Sequence, residues 1–225
     1  MNNKGKLIVL EGVDGSGKST QFKRLCETLK SEGLEFRRLV FPRYDNESSA
    51  LIRMYLDGEF GDDPDCVNAY AASLFFAVDR YASYISEWKE YYLSGGILLS
   101  DRYTSSNAVH QGGKLEPDER RSFFDWLYDL EYVKLGLPKP DLVVYLDVDA
   151  EISKRRIEKR ALKKGIKADI HERDLAFIQK GIESGRMAAE HYSWKLIDYA
   201  KNGSEREIEE KQIEILGMVR DHLIK

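Results

Sequence analysis

The sequence predicts an α/β fold built on a central parallel sheet with helices on both faces, and two observations carry that expectation. Short apolar runs alternate along the chain with longer stretches of helical periodicity, the pattern of repeated strand–helix crossovers. The first apolar run, Leu7-Ile8-Val9-Leu10, leads directly into Gly12-Val13-Asp14-Gly15-Ser16-Gly17-Lys18-Ser19 and then a helix-like segment over 20–32. At 225 residues, with 42% hydrophobic and 33% charged residues, the chain is expected to form one domain, 1–225.

Strands are predicted over 6–10, 36–41, 97–100, 142–146 and 196–199, where β-favouring apolar residues lie between polar or helical segments. Helices are predicted over 18–31, 48–56, 64–93, 117–134, 150–164, 173–191 and 205–224. In such a sheet ligands collect beyond the carboxyl ends of the strands, which directs attention to the residues after Leu10, Phe41, Ser100 and Leu146.

The glycine-rich segment has the pattern of a phosphate-binding loop. Its glycines permit a tight turn that aims backbone N–H groups inward, and the positive end of the following helix favours the same anion. Lys18 would reach the β- and γ-phosphates, and the Ser19 hydroxyl is an oxygen ligand suited to a magnesium ion.

After the second strand comes Phe41-Pro42-Arg43-Tyr44. Arg43 is a phosphate-clamp candidate, because a guanidinium offers two oxygens a planar set of donors, or else a plain surface-loop arginine. In the long third helix Tyr70, Leu74, Val78, Tyr81, Ile85, Trp88 and Tyr92 recur at helical spacing, a core or subunit-interface stripe. On a neighbouring face Ala72, Phe76 and Arg80 could present a ring and a guanidinium to one nucleobase, although an aromatic there is also ordinary core.

The third strand runs into Asp101-Arg102-Tyr103. Asp101 could orient magnesium or its waters and Arg102 a second phosphate, or the two could be a local ion pair. The following 104–113 segment, containing Ser106, Asn107, His110 and Gln111, is rich in hydrogen-bonding groups and is read as a loop able to contact a base or sugar. After the fourth strand the 154–165 segment concentrates Arg155, Arg156, Arg160 and several lysines, followed by Asp169 and Glu172. It reads as a solvated helix face or, more sharply, as a lid over phosphates spanning about 154–172.

Composition narrows the partners. A formal net charge of −4 argues against broad nucleic-acid binding, and no apolar run approaches the roughly 20 residues of a membrane span. The N-terminal residues lack the pattern of a signal peptide, and Cys26 and Cys66 lack metal-ligand spacing, so a cytoplasmic protein with two reduced thiols and no zinc is expected.

Together EGVDGSGKST, FPRY, FFAVDR, DRYTSSNAVHQ and the basic segment ending in DIHERD resemble the thymidylate kinase family over nearly the whole chain. The resemblance implies a P-loop nucleoside monophosphate kinase-like fold, magnesium-assisted transfer of the ATP γ-phosphoryl group to thymidine 5′-monophosphate (dTMP), and a homodimer. It implies that Asp14 lies near the acceptor sugar and phosphate, that Arg43 and Arg102 hold the monophosphate, and that Phe76 stacks on the base. Arg80 would meet the thymine edge, Ser106 with Asn107 would form the polar pair after it, and Asp169 and Glu172 would be lid carboxylates. His110 stands where many members carry a tyrosine, a departure that touches discrimination against ribose. No residue of 13–16 is basic, so the transition-state cation is expected from the lid, at Arg160 first and Arg156 second. Expected at the ATP site are Gly12 through Ser19 with Arg156 and Arg160; expected in catalysis are Lys18, Arg102, Arg160 and Asp14; expected at the metal are Ser19 and Asp101. Two other readings stay open: a kinase for a different deoxynucleoside monophosphate, and a nucleotide switch that binds a partner protein.

Overall fold

A computed structural model describes residues 4–164, 171, 174–201 and 204–223. Its centre is a five-stranded parallel sheet of β1 (Lys6–Glu11), β2 (Arg37–Val40), β3 (Ile97–Asp101), β4 (Leu142–Leu146) and β5 (Lys195–Ile197) in the order β2-β3-β1-β4-β5. Leu7 to Leu10 are all buried because β1 is central and covered on both faces, which is why its apolar run is continuous rather than alternating.

One face is covered by α1 (Lys18–Ser31) and the C-terminal helix, whose Phe22, Leu25, Leu29, Ile215 and Val219 pack on Ile8, Leu10 and Val144. The other face takes Tyr84, Trp88 and Tyr92 against Leu7, Val9 and Leu98. Register sets the edge that matters: Leu10 lies opposite Asp101 and Val40 opposite Asp101 on the far side, so the ends of β1, β2 and β3 are level.

The predicted helix over 64–93 is divided. A short 3₁₀ turn, Pro64–Cys66, precedes α3 (Ala69–Ser83), which starts at an Asn68 cap accepting the Ala71 N–H at 2.9 Å. A wide π turn, Tyr84–Trp88, then joins α3 to α4 (Lys89–Leu93). The predicted stripe divides too: Trp88 and Tyr92 are core, while Tyr70, Leu74, Val78, Tyr81 and Ile85 are 40–56% exposed. The helix predicted over 48–56 begins with a 3₁₀ turn and becomes α2 (Ala50–Leu56).

Three expectations are corrected. The 104–113 segment is helical, with a π turn Asn107–Gln111 and a 3₁₀ turn Gly112–Lys114, because α7 (Leu175–Tyr192) packs small residues against it and fixes its side chains. The last helix, α8, is Ile208–Leu223, and residues 204–205 instead pair with Ala200–Lys201 in a two-stranded hairpin, β6 and β7. The helix predicted over 117–134 is α5 (Arg120–Tyr128) followed by a π turn, Asp129–Lys134. The helix carrying the basic run, α6 (Ala150–Lys164), keeps its predicted bounds. Among the described residues no helix is long and apolar enough to cross a membrane.

Candidate active site

β1 ends in Glu11, a carboxylate with no exposed surface. Burying such a charge is costly unless its oxygens are matched by donors. Oε1 accepts the Gly12 N–H at 2.8 Å, and Oε2 accepts the hydroxyls of Ser105 and Ser106 at 2.7 Å each. One side chain therefore ties the first residue of the glycine-rich loop to the segment after β3.

Between those two segments lies Arg102, whose φ of 67° is in the left-handed region that non-glycine residues seldom occupy. The conformation is held by its N–H donating to the Leu10 carbonyl at 3.1 Å and by the Ser100 hydroxyl donating to its own carbonyl at 2.5 Å. The guanidinium donates from Nη2 to Asp14 at 2.9 Å and from Nη1 to His110 Nε2 at 2.6 Å, with Glu11 Oε1 at 3.7 Å. A guanidinium only donates, so His110 accepts at Nε2 and carries its proton on Nδ1. Burial opposes ionisation of Asp14, but Arg102 and the cations around it outweigh that and hold its carboxyl well below the usual range.

Gly17, at φ 95°, turns the loop into α1, and Lys18 points back over it so that Nζ donates to Asp101 Oδ1 at 2.7 Å. The pair is nearly buried, so its Coulomb attraction is little screened.

Two cavities meet here. One, of about 300 Å³, is walled by Phe41, Pro42, Tyr44 and Phe76 and reaches Arg80 and Asn107 at its inner end. The other, of about 320 Å³, runs along the loop from Val13 to Gln21 beneath Arg156 and Lys211. Asp14, Lys18, Ser19 and Arg160 line both. Arg160 is on the exposed side of α6, whereas Arg156 lines only the second cavity, where it donates from Nη1 to the Gly15 carbonyl at 2.9 Å and pairs with Glu205.

The first cavity gathers Asp14, Lys18, Ser19, Phe76, Arg80, Asp101, Arg102, Ser106, Asn107, His110 and Arg160 from four separate stretches of sequence, 14–19, 76–80, 101–110 and 160. It does not gather Arg43. That side chain turns away to Asp79 (Nε to Oδ1, 3.1 Å), Ser48 (2.8 Å) and Glu87, while its backbone N–H donates to Asp79 Oδ2 at 2.9 Å. Asp79 is buried, and it needs these donors. Arg43 therefore anchors the Phe41–Tyr44 turn to α3. Asp169 and Glu172 lie outside the described residues.

Four contributors have no role in the reading of the sequence: Glu11, Tyr44 and His171, which lie within quoted motifs, and Glu131, which lies outside them all. Tyr44 and Gln111 line the first cavity, and the Gln111 side-chain oxygen is buried without a hydrogen-bond partner among the described residues. Glu131 receives Arg80. His171 lies between His110 (6.0 Å between centroids, planes 12° apart) and Phe177 (4.4 Å, 28°), with Nε2 at 2.7 Å from the Tyr55 hydroxyl. Lys114 donates to that hydroxyl at 2.7 Å and to the Val67 carbonyl at 2.6 Å, and burial draws its pKa down to about 8.

A family model described as Thymidylate kinase matches residues 10–213. The chain is 35% identical over 176 residues to a protein of Mycobacterium tuberculosis (strain ATCC 25618 / H37Rv) named thymidylate kinase, covering 77% of this chain and 81% of that one. It is 35% identical over 153 residues to the human protein of the same name, covering 68% and 66%. It is 35% identical over 158 residues to a probable thymidylate kinase of Pyrococcus horikoshii, covering 70% and 72%.

The stacked histidines make stability depend on pH. Burial and the neighbouring Arg102 lower the His110 pKa to about 3, and burial with His110 and Lys114 nearby holds His171 well below its ordinary value. The unfolded chain therefore binds more protons than the folded one between the ordinary histidine pKa and the depressed ones, and stability falls as the pH is lowered through that window. At about pH 5.5 unfolding should take up about two protons from these groups, a slope of roughly 2.7 kcal/mol per pH unit. Thermal unfolding should show a slope close to that between pH 5 and 6, flattening toward pH 7, and lose about half of it in His110→Asn; a slope unchanged by the substitution would mean that His110 is charged in the folded protein.

Proposed function

The chain belongs to the thymidylate kinase family, and from that premise we propose how its side chains transfer the γ-phosphoryl group of ATP to dTMP, giving dTDP and ADP on the way to dTTP. The reading rests on one observation above the others: the two cavities share Asp14, Lys18, Ser19 and Arg160. ATP phosphates lie along the glycine-rich loop from Gly12 to Ser19, the monophosphate enters from the other side, and the transferred group passes between them.

Phosphoryl transfer asks for alignment and for cations where charge spreads, and no protein nucleophile is needed. Asp14 remains ionised and acts as an orienting group for Arg102 rather than as a proton donor. Arg102 holds the acceptor phosphate, Lys18 holds the donor phosphates, and Arg160 meets the charge that develops between them. When phosphate oxygens replace Asp101 as the partner of Lys18, the Asp101 carboxylate is released toward the cavity that Ser19 also lines. These two hard oxygen donors suit a magnesium ion that keeps most of its coordination for water and phosphates, and such an ion would supply further charge neutralisation when bound. Arg156, fastened to the Gly15 carbonyl, steadies the loop on the donor side.

In the acceptor cavity Phe76 stacks on the base while Arg80 and Asn107 meet its edge. His110, neutral and held by Arg102, lines the sugar region with Ser106, whose hydroxyl is already given to Glu11. Arg43 acts indirectly, by holding the turn that carries Phe41, Pro42 and Tyr44. If the Asp169 and Glu172 carboxylates join this site, they do so from the segment after α6.

The exposed stripe of α3, Tyr70, Leu74, Val78, Tyr81 and Ile85, is suited to a homodimer interface, because contiguous apolar surface of this kind is seldom left to water. Sedimentation should give a dimer at micromolar concentration, and Val78→Glu, which places a charge at its most exposed member, should shift it to monomer.

An acceptor panel tests the reaction. ADP release should depend on dTMP and be several orders of magnitude less efficient with dCMP, since a site built to hydrogen-bond one edge rejects the other by about 10⁴-fold. Acceptor-independent release would instead favour the switch. Arg160→Ala should lower kcat by roughly 10³-fold or more with little change in the KM for dTMP. A near-normal kcat in saturating ATP and dTMP would pass the role to Arg156.

A further inference from the structure

Arg80 and Asn107 are not free to choose which atoms they turn toward the acceptor cavity. Arg80 donates from Nε to Glu131 Oε2 at 2.7 Å and from Nη2 to Oε1 at 2.6 Å. Asn107 donates from Nδ2 to the same Oε1 at 3.0 Å and to the Ser73 carbonyl at 3.1 Å. All three side chains are at most 2% exposed. A carboxylate and a carbonyl can only accept, so the orientation of the Asn107 amide is forced. Its Oδ1 is left for the cavity. Of the Arg80 nitrogens, only Nη1 lacks a partner among the described residues.

The inner end of the cavity therefore carries a fixed polarity, one donor from Arg80 and one acceptor oxygen from Asn107. A thymine edge offers the complement: O4 accepts and N3–H donates. Cytosine reverses both, with an amino group at C4 and a bare N3, so donor would meet donor and acceptor would meet acceptor in a buried site where unmatched polar groups are expensive. We propose that Glu131 is the positioning residue that sets this choice, by consuming the donor faces of Arg80 and Asn107 together.

The proposal rests on the base-edge reading given above. Glu131 touches no substrate, and it lies on the π turn Asp129–Lys134, a widened turn of a kind often found at functional sites. With a neutral amide at 131, one of the two positions facing Arg80 and Asn107 becomes a donor. The Asn107 amide can then turn over, exchanging the bond that its NH₂ gives to the Ser73 carbonyl for one that its oxygen accepts from residue 131, and its NH₂ faces the cavity.

The test is the ratio of kcat/KM for dTMP to that for dCMP in the full chain, because the folded fraction cancels from a ratio measured on one preparation. Glu131→Gln should lower the ratio by roughly a hundredfold, mainly through a gain with dCMP relative to dTMP, whereas Glu131→Asp, which keeps the charge, should stay closer to the wild-type ratio. An unchanged ratio in Glu131→Gln overturns the role of Glu131 while leaving the base-edge reading in place. A wild-type enzyme that does not discriminate overturns that reading and the proposal with it. Should Glu131→Gln fail to fold, ¹⁵N-labelled wild-type protein decides the matter. The Asn107 side-chain amide protons should exchange slowly and shift little when dTMP is added, since they remain on Glu131 and Ser73; a large shift marking them as donors to the ligand would overturn the proposal.

Discussion

A carboxylate taken out of water at the end of β1 is the constraint on which the site depends. Glu11 can be buried only because donors reach it from two chain segments, Gly12 from the phosphate-binding loop and Ser105 with Ser106 from the turn after β3. Satisfying that charge therefore ties the glycine-rich loop to the segment that follows Arg102. Arg102 sits at the junction in a backbone conformation that costs free energy and that its bonds to Leu10 and Ser100 maintain. Glu11, Asp14 and Asp101 face Lys18 and Arg102, so three carboxylates already engage the two cations and leave no positive charge to spare. Bringing two phosphate groups into this setting calls for added cations, the part that the proposed function gives to Arg160 and a metal ion.

The core of the fold was legible because its signals are local. A continuous apolar run, a glycine-rich turn and a helix start are contiguous in sequence, and β1, α1 and α6 lie within a residue of where periodicity and loop chemistry put them. The 104–113 segment reads as a loop in the sequence and is helical in the structure for a physical reason. Its serines, asparagine and glycines have weak helical preference, and what makes it helical is the close approach of α7, where a Cβ on Gly112 would lie 2.4 Å from the Ser184 hydroxyl oxygen and one on Gly113 3.0 Å from the Gly181 nitrogen. Tertiary contact overrode propensity, and no local pattern carries that information.

The same distinction separates the site residues found by motif from those missed. Residues facing the ligand belong to contiguous motifs, and eleven of them converge on one cavity. The residues that hold them are remote: Glu131 is 51 positions from Arg80, and Asp79 is 36 from Arg43. Arg43 carries two readings in the sequence, a phosphate clamp and a surface-loop arginine, because an arginine after a strand end suits either. In the structure its guanidinium is engaged by Asp79, a buried acceptor on another helix that nothing in the FPRY turn announces. A signal did exist for Glu11, a charged residue placed directly between an apolar strand and a glycine, where solvent is scarce.

The acceptor side and the donor side are consequently built on different principles. Around the acceptor, each polar group that would meet dTMP is held by a second partner: Arg80 and Asn107 by Glu131, Arg102 by Asp14 and Glu11, and His110 by Arg102 and the His171 ring. Such preorganisation lowers the reorganisation needed as charge develops, and it restricts which base can enter. Arg160 differs from these groups in lying on the exposed side of α6, at the boundary of both cavities. In the function proposed above, a pocket held this way defines where the incoming oxygen stands, so Arg160 can approach from a solvent-facing helix without loss of alignment. On that proposal the choice of base falls to buried pairs inside the fold, and the charge that develops in transfer is met from a basic helix that lines both cavities.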